Sequence, residues 1–288
     1  MVIAALIEAG DRRRRGSPYR RRFSLPGLAR DDGAMTKPLE NTVALVTGSS
    51  SGIGAATARR LAAEGAAVAL VARRRDRLDD LAAAIRADGG TALAVPADVT
   101  SQQQAADAVG QAVAGLGRLD IVVNNAGIML LGPALDAPVD EWDEMIALNV
   151  QGMLYLTRTA LPHLVRAADD SPRRVADLVT ITSTAGRVAR PGSSVYSLTK
   201  FGATAFSEAL RQELLGRRVR VSVVEPGTVD TELVTHLRDD IRQAAQSQTA
   251  SIEPLRPGDI ADAVAYIVTR DRRVAVNEIL VRAAEQTW

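Results

Sequence analysis

Tyr196 and Lys200 stand four residues apart in Tyr196-Ser-Leu-Thr-Lys200. On a helix, positions i and i+4 share a face about 6 Å apart along the axis, so the ammonium can sit beside the phenol. A free phenol has a pKa of about 10 and is a poor base at neutral pH. A neighbouring cation favours the phenolate and lowers that value, and the chemistry gained is proton transfer to and from a substrate oxygen. A Tyr-x3-Lys pair by itself more often means a packed ring and a surface amine, so its neighbours must decide. Ser183 closes an expected strand upstream, where its hydroxyl can hold a substrate carbonyl beside the phenol. Asn149, in Leu148-Asn149-Val150-Gln151-Gly152, falls in an expected long helix over the same crevice. A buried Asn needs partners, and a water chain to Lys200 would supply one.

A second group lies near the start of the folded part. Thr47-Gly48-Ser49-Ser50-Ser51-Gly52-Ile53-Gly54 links an apolar run to an Ala-rich stretch. Strand, glycine turn and helix N-terminus form an anion site, because small residues let the backbone approach and free helix N–H groups face the phosphates. A Walker loop would need Lys after its second glycine, whereas Ile53 follows Gly52, which argues against triphosphate hydrolysis. Gly48-Ser49-Ser50-Ser51-Gly52 also fits the G-x-S-x-G nucleophile elbow formally, with Ser50 as nucleophile and His236 as the late histidine. That elbow normally follows several strands, and this motif follows the first. Further on comes Val71-Ala72-Arg73-Arg74-Arg75-Asp76. A site selecting NAD usually places an acid here for the ribose 2′-OH, whereas NADP needs cations for its 2′-phosphate. Arg73 and Arg74 therefore favour NADP, against the plainer reading of a solvated helix start.

The elements that must position these groups follow from the patterning. Short β-branched runs alternate with Ala-rich stretches from Val43 onward, the pattern of repeated βαβ units. Expected strands are 43–47, 67–72, 91–97, 120–124, 177–182, 219–224 and 278–281; expected helices are 52–64, 75–87, 101–115, 140–168, 194–216 and 258–269. The predicted fold is α/β: a single-domain, Rossmann-type, doubly wound parallel sheet of seven strands, helices on both faces, ligand crevice at the strands' carboxyl ends. Residues 169–176 are expected to be a loop insertion and 232–257 a polar, weakly periodic excursion.

Composition supports one domain. The 288 residues are 47% hydrophobic but 3% aromatic, so the core must be built from Ala, Val, Leu and Ile. With 35 basic and 34 acidic residues the net charge is +1, which offers no overall field for nucleic acid or an anionic membrane. Cysteine is absent, excluding disulfides and thiolate catalysis and fitting a reducing, cytoplasmic setting; with two histidines besides, no metal site is expected. No apolar run approaches the ~20 residues that span a bilayer. Residues 1–38 are expected to be a disordered Arg-rich extension before a domain at 39–288, with Met35 well placed as an alternative start. Arg20-Arg21-Arg22-Phe23 resembles a twin-arginine export signal, but Leu25-Pro26-Gly27 follows where a long apolar region should be.

Taken in order, these motifs resemble the short-chain dehydrogenase/reductase family over about residues 40–285. The series is Thr47-Gly-x3-Gly-x-Gly54, Asp98-Val99, Asn124-Asn125-Ala126-Gly127, Asn149, Ser183, Tyr196-x3-Lys200 and Pro226-Gly227-x3-Thr231. The resemblance implies a catalytic tetrad of Asn149, Ser183, Tyr196 and Lys200, with Lys200 also holding the nicotinamide ribose. It implies cofactor contacts from Gly48, Ser50, Ser51, Gly52, Ile53 and Gly54 of the loop and from Arg73 and Arg74. Asp98 and Val99 would meet the adenine, Asn124, Asn125, Ala126 and Gly127 would lie along the cofactor, and Pro226, Gly227, Val229 and Thr231 would border the nicotinamide amide. Three stretches, 125–133, 206–213 and 276–281, are similar to an actinobacterial branch that includes clavaldehyde dehydrogenases. Thr182 departs from the family by standing before Ser183 where many members have a second Ser.

The expected activity is therefore NADP(H)-dependent interconversion of a carbonyl and an alcohol, with small-molecule substrates and a homo-dimer or homo-tetramer as the assembly. Ile128, Met129, Val188, Val195 and the 232–257 segment are the expected substrate rim. A non-catalytic sensor of the NADPH/NADP ratio is the alternative, and an intact tetrad speaks against it. The hydrolase is the third.

Overall fold

A computed structural model describes residues 37–249 and 251–287. The Arg-rich head, and with it nearly all of the expected 1–38 extension, lies outside the described residues. Seven strands run β1 Val43–Thr47, β2 Ala67–Ala72, β3 Thr91–Pro96, β4 Ile121–Asn124, β5 Ala176–Ile181, β6 Val219–Pro226 and β7 Glu278–Val281. They form one sheet in the order β3-β2-β1-β4-β5-β6-β7, parallel throughout. Because the chain starts in the middle, winds out to β3 and returns to β4, the crevice opens between the ends of β1 and β4.

Both faces are covered, which is why the strand sequences are continuous apolar runs rather than alternating ones. Alternate residues nonetheless serve different cores, as the pleat requires. Ala44 and Val46 join α1 Gly52–Ala63, α2 Arg75–Ala87 and α8 Pro257–Val268 on one face. Val43 and Leu45 join α3 Gln102–Leu116, α5 Met153–Asp170 and α6 Ser194–Glu213 on the other. The helices approach the sheet through Ala58, Ala62, Ala105, Ala108, Ala112 and Ala160, so a core poor in aromatics still closes.

Three expectations need correction. The predicted helix 140–168 consists of α4 Val139–Met145, a π-helical stretch Ile146–Gly152 and α5. Apolar spacing cannot distinguish such a stretch from an α-helix, and it carries Asn149, in line with the tendency of π turns to occur at functional sites. The excursion after β6 contains a 3-10 turn, Glu232–His236, and α7 Asp239–Thr249, whose polar composition hid its period. The loop before β5 is only 171–175; Arg174 adopts left-handed backbone there, and Arg173 pairs with Asp177 at 2.7 Å. Among the described residues no helix is long and apolar enough to cross a membrane.

Candidate active site

The carboxyl ends of the strands surround a cleft of about 580 Å³. At one end β1 passes into the glycine loop, where Gly48 and Gly52 have φ of 65° and 52°. A Cβ on Gly48 would lie 2.9 Å from the Ala126 backbone, and one on Gly54 would collide with the Gly48 carbonyl. The loop can therefore fold tightly over the N-terminus of α1 only with glycine at these positions. Ser50, Ser51, Ile53, Arg73, Arg74, Asp98 and Val99 line the same part of the cleft. Asp98 Oδ1 accepts from the Thr100 amide at 3.0 Å and the Thr100 hydroxyl at 2.8 Å, which fixes the turn after β3.

Thr47 organises the floor. Its Oγ1 accepts the amides of Asn125 and Ala126, each at 3.0 Å, while Asn125 Nδ2 donates to the Thr47 carbonyl at 2.9 Å. Asn125 thus ties the end of β4 to the glycine loop and lines the cleft. Asn124, expected along the cofactor, points elsewhere: its Nδ2 donates to Thr157 Oγ1 at 2.8 Å, and its Oδ1 is buried without a partner among the described residues. It borders a separate cavity of about 10 Å³ with Thr47, Gly152 and Thr180, roughly the space of one water.

Tyr196, Lys200 and Ser183 meet in the middle of the cleft. Ser183 sits in the turn after β5, accepts the Ala185 amide at 3.1 Å, donates to the Pro226 carbonyl at 3.5 Å and lies beside the Tyr196 phenol. Gly186 lets α6 approach that turn, since a Cβ there would lie 3.1 Å from the Lys200 backbone. Lys200 Nζ stands 5.7 Å from the Tyr196 ring centroid and donates to the Ile181 carbonyl at 3.0 Å. Burial pushes the phenol up to about 12, with Ser183 acting the other way, and pushes the ammonium down to about 8. In place of the expected lowering of the phenol by its cation, desolvation raises it.

Asn149 is buried behind these groups, outside the cleft lining. Its Oδ1 accepts the Ile128 amide at 2.8 Å, and its Nδ2 donates to the Ile128 carbonyl at 2.9 Å and to Thr199 Oγ1 at 3.2 Å. Thr199 in turn donates to the Tyr196 carbonyl at 2.7 Å. The side chain thus clamps the loop after β4 to the helical turn carrying the tyrosine. Gly127 fills the space between: a Cβ there would stand 3.2 Å from Asn149 Oδ1 and 3.7 Å from Lys200 Nζ.

The far wall is Pro226, Gly227, Val229 and Thr231. Gln286 braces it by accepting the Thr228 amide at 2.8 Å, and Thr231 Oγ1 caps the turn that begins at Glu232. Arg187 reaches the fully buried Glu225 at 2.5 Å, tying the Ser183 turn to β6; burial raises that carboxyl while Arg187 draws it down. Of the expected rim, Ile128, Met129 and Val188 line the cleft and Val195 packs behind Tyr196 instead. Ser50 is held by Arg74 and has no hydrogen bond to His236 among the described residues, so the hydrolase constellation is not assembled. Thr199, Gln286, Arg187 and Glu232 were not anticipated; of these only Thr199, inside the Tyr196 motif, carried a local signal.

Residues 42–242 match the family model described as short chain dehydrogenase. The chain belongs to the short chain dehydrogenase family. As a member, it is an NAD(P)-dependent oxidoreductase acting on a small-molecule substrate. The dehydrogenase is 36% identical to the glycine betaine reductase of Emericella nidulans over 86% of this chain, and spans only 19% of that longer protein. Among solved structures it resembles a 3-ketoacyl-(acyl-carrier-protein) reductase from Brucella melitensis complexed with NADH, at TM-score 0.76 and 30% identity, covering 85% of this chain and 98% of the other. It also resembles the closed form of a serine dehydrogenase complexed with NADP+, at TM-score 0.78 and 31% identity over 86% and 97%.

Proposed function

We propose that this dehydrogenase interconverts a carbonyl and an alcohol with NADP(H), and that Tyr196 carries the proton. The observation behind this reading is the buried phenol with Lys200 and Ser183 beside it, at the centre of a cleft whose far end is built for phosphates.

The glycine loop fits a dinucleotide, because its tight backbone and the N-terminus of α1 leave amides for the diphosphate. Arg73 and Arg74 fit a 2′-phosphate; since the similar structures hold NADH in one case and NADP+ in the other, the choice of NADP rests on these two cations. Asp98 and Val99 border the adenine, Ala126 and Gly127 the middle of the cofactor, and Pro226, Gly227, Val229 and Thr231 the nicotinamide. The bound cofactor supplies or accepts the hydride. Ser183 orients the substrate oxygen toward Tyr196. With its pKa at about 12, Tyr196 is protonated at neutral pH and donates as the carbonyl oxygen gains charge. Lys200 holds the ribose and steadies the phenolate left behind, and Asn149 positions Tyr196 through Thr199 and Ile128. Ile128, Met129 and Val188 suit a carbonyl carried on an apolar body. The scaffold likeness to clavaldehyde dehydrogenases is not extended to their substrate.

A panel of ketones and aldehydes, run with NADPH and NADH in parallel, tests this. NADPH oxidation is expected to exceed NADH oxidation, and Tyr196→Phe is expected to cut kcat by about 10²- to 10⁴-fold with cofactor affinity kept. A Tyr196→Phe rate equal to the parent's overturns the mechanism. Leu198 and Phe201 are exposed on α6 and suit a seam between copies; sedimentation is expected to give a homo-dimer or homo-tetramer.

A further inference from the structure

Arg74 is gripped from both sides of the cleft. Ser50 Oγ and Ser51 Oγ of the glycine loop each lie 3.0 Å from its Nη2, and Glu232 Oε2 lies 3.0 Å from the same nitrogen. The Glu232 carboxyl is held below its usual range chiefly by Arg74. Glu232 begins the 3-10 turn capped by Thr231, and Thr231 packs on the glycine loop, since a Cβ on Gly52 would stand 3.2 Å from its Cγ2. The carboxylate is therefore seated firmly at the cationic end of the cleft. Arg73, the other cation there, makes no hydrogen bond or ion pair among the described residues.

The charges at this end do not match a phosphate as simply as the two arginines suggest. Nη2 of Arg74 is already taken by Ser50, Ser51 and Glu232, so a phosphate must bind through the remaining N–H groups of the guanidinium, beside the Glu232 carboxylate, or displace Glu232. A phosphate monoester at neutral pH, above its second pKa, carries close to two negative charges, and placing it beside a carboxylate is repulsive. A ribose 2′-hydroxyl in the same place is neutral, can donate to that carboxylate, and escapes the penalty. We propose that Glu232 is a specificity-determining residue, holding down the preference for NADP over NAD by occupying Arg74. The inference rests on the cofactor reading given above.

Dissociation constants for NADPH, NADH, 2′,5′-ADP and 5′-AMP, measured calorimetrically on the full chain, test it without turnover. Glu232→Gln is expected to tighten NADPH and 2′,5′-ADP by about three- to tenfold and to leave NADH and 5′-AMP within about twofold. The gain should shrink as salt is raised, and Arg74→Ala in the Glu232→Gln background should erase it. Asp107→Asn, which removes the same charge from the exposed side of α3, should leave all four constants in place. Equal tightening of phosphorylated and unphosphorylated ligands, or no tightening at all, overturns the role of Glu232 while the cofactor reading stands. If the parent protein binds none of the four, the cofactor reading fails and this inference fails with it.

Discussion

Two cations are buried to the same degree at opposite ends of the sheet and are handled in opposite ways. Arg220, 8% exposed near the start of β6, donates Nε and Nη2 to the carboxylate of Asp177 at 2.7 and 3.0 Å. Its Nη1 serves the carbonyls of Arg270, Asp271 and Val274. Lys200, 9% exposed at the cleft end, has the Ile181 carbonyl and no carboxylate within ion-pair distance among the described residues. At the amino ends of the strands charge is neutralised where it stands, and the result is architecture. Around the catalytic pair at the carboxyl ends burial acts without a counter-charge, and the result is a lysine near 8 and a tyrosine near 12. Groups displaced in this way by desolvation are the ones that enzymes use to exchange protons.

If that contrast is right, its structural half breaks hard. Asp177→Ala leaves Arg220 and the neighbouring Arg173 without their carboxylate inside the fold. Removing one partner of a buried pair costs about 3–5 kcal/mol, so urea unfolding should show a loss of that order. Replacing both partners, Asp177→Leu with Arg220→Met, should recover most of it, because the charge left behind is what destabilises. A loss under about 1 kcal/mol in the single variant would mean that the amino end is no more neutralised than the cleft.

The sheet and the catalytic pair were legible in the sequence for a shared reason: both are local patterns. A strand buried on two faces has to be an apolar run, and Tyr196 with Lys200 declares itself by helical spacing. The pairs that distinguish the two ends are not local. Asp177 and Arg220 stand 43 residues apart, and Asn149 finds Thr199 across 50; nothing near either residue announces the partner. Asn124 and Asn125 are adjacent and chemically identical, and only the register of β4 decides that the second faces the cleft. The shift of the phenol was misjudged for a related reason. A cation one turn away is visible in the sequence, whereas the desolvation that raises the phenol belongs to the packed fold.

Lys200 tests the other half with a smaller effect of opposite sign. Its folded value near 8 lies below the ordinary 10.5, so the folded state binds fewer protons than the unfolded one between those limits. Stability should therefore rise with pH across that window, and below about 8 the protein carries the full cost of the buried ammonium, on the order of 3 kcal/mol. Lys200→Met removes that cost together with one hydrogen bond to Ile181, worth about 1 kcal/mol. At neutral pH the variant should be inactive yet more stable by about 1–2 kcal/mol, and its advantage should vanish as the parent's lysine loses its proton. Urea midpoints compared near pH 7 and near pH 10 measure this directly. A variant less stable than the parent at neutral pH, or an advantage that does not change with pH, would mean that the ammonium at the cleft is compensated as fully as Arg220, and that the two ends of the sheet do not differ in kind.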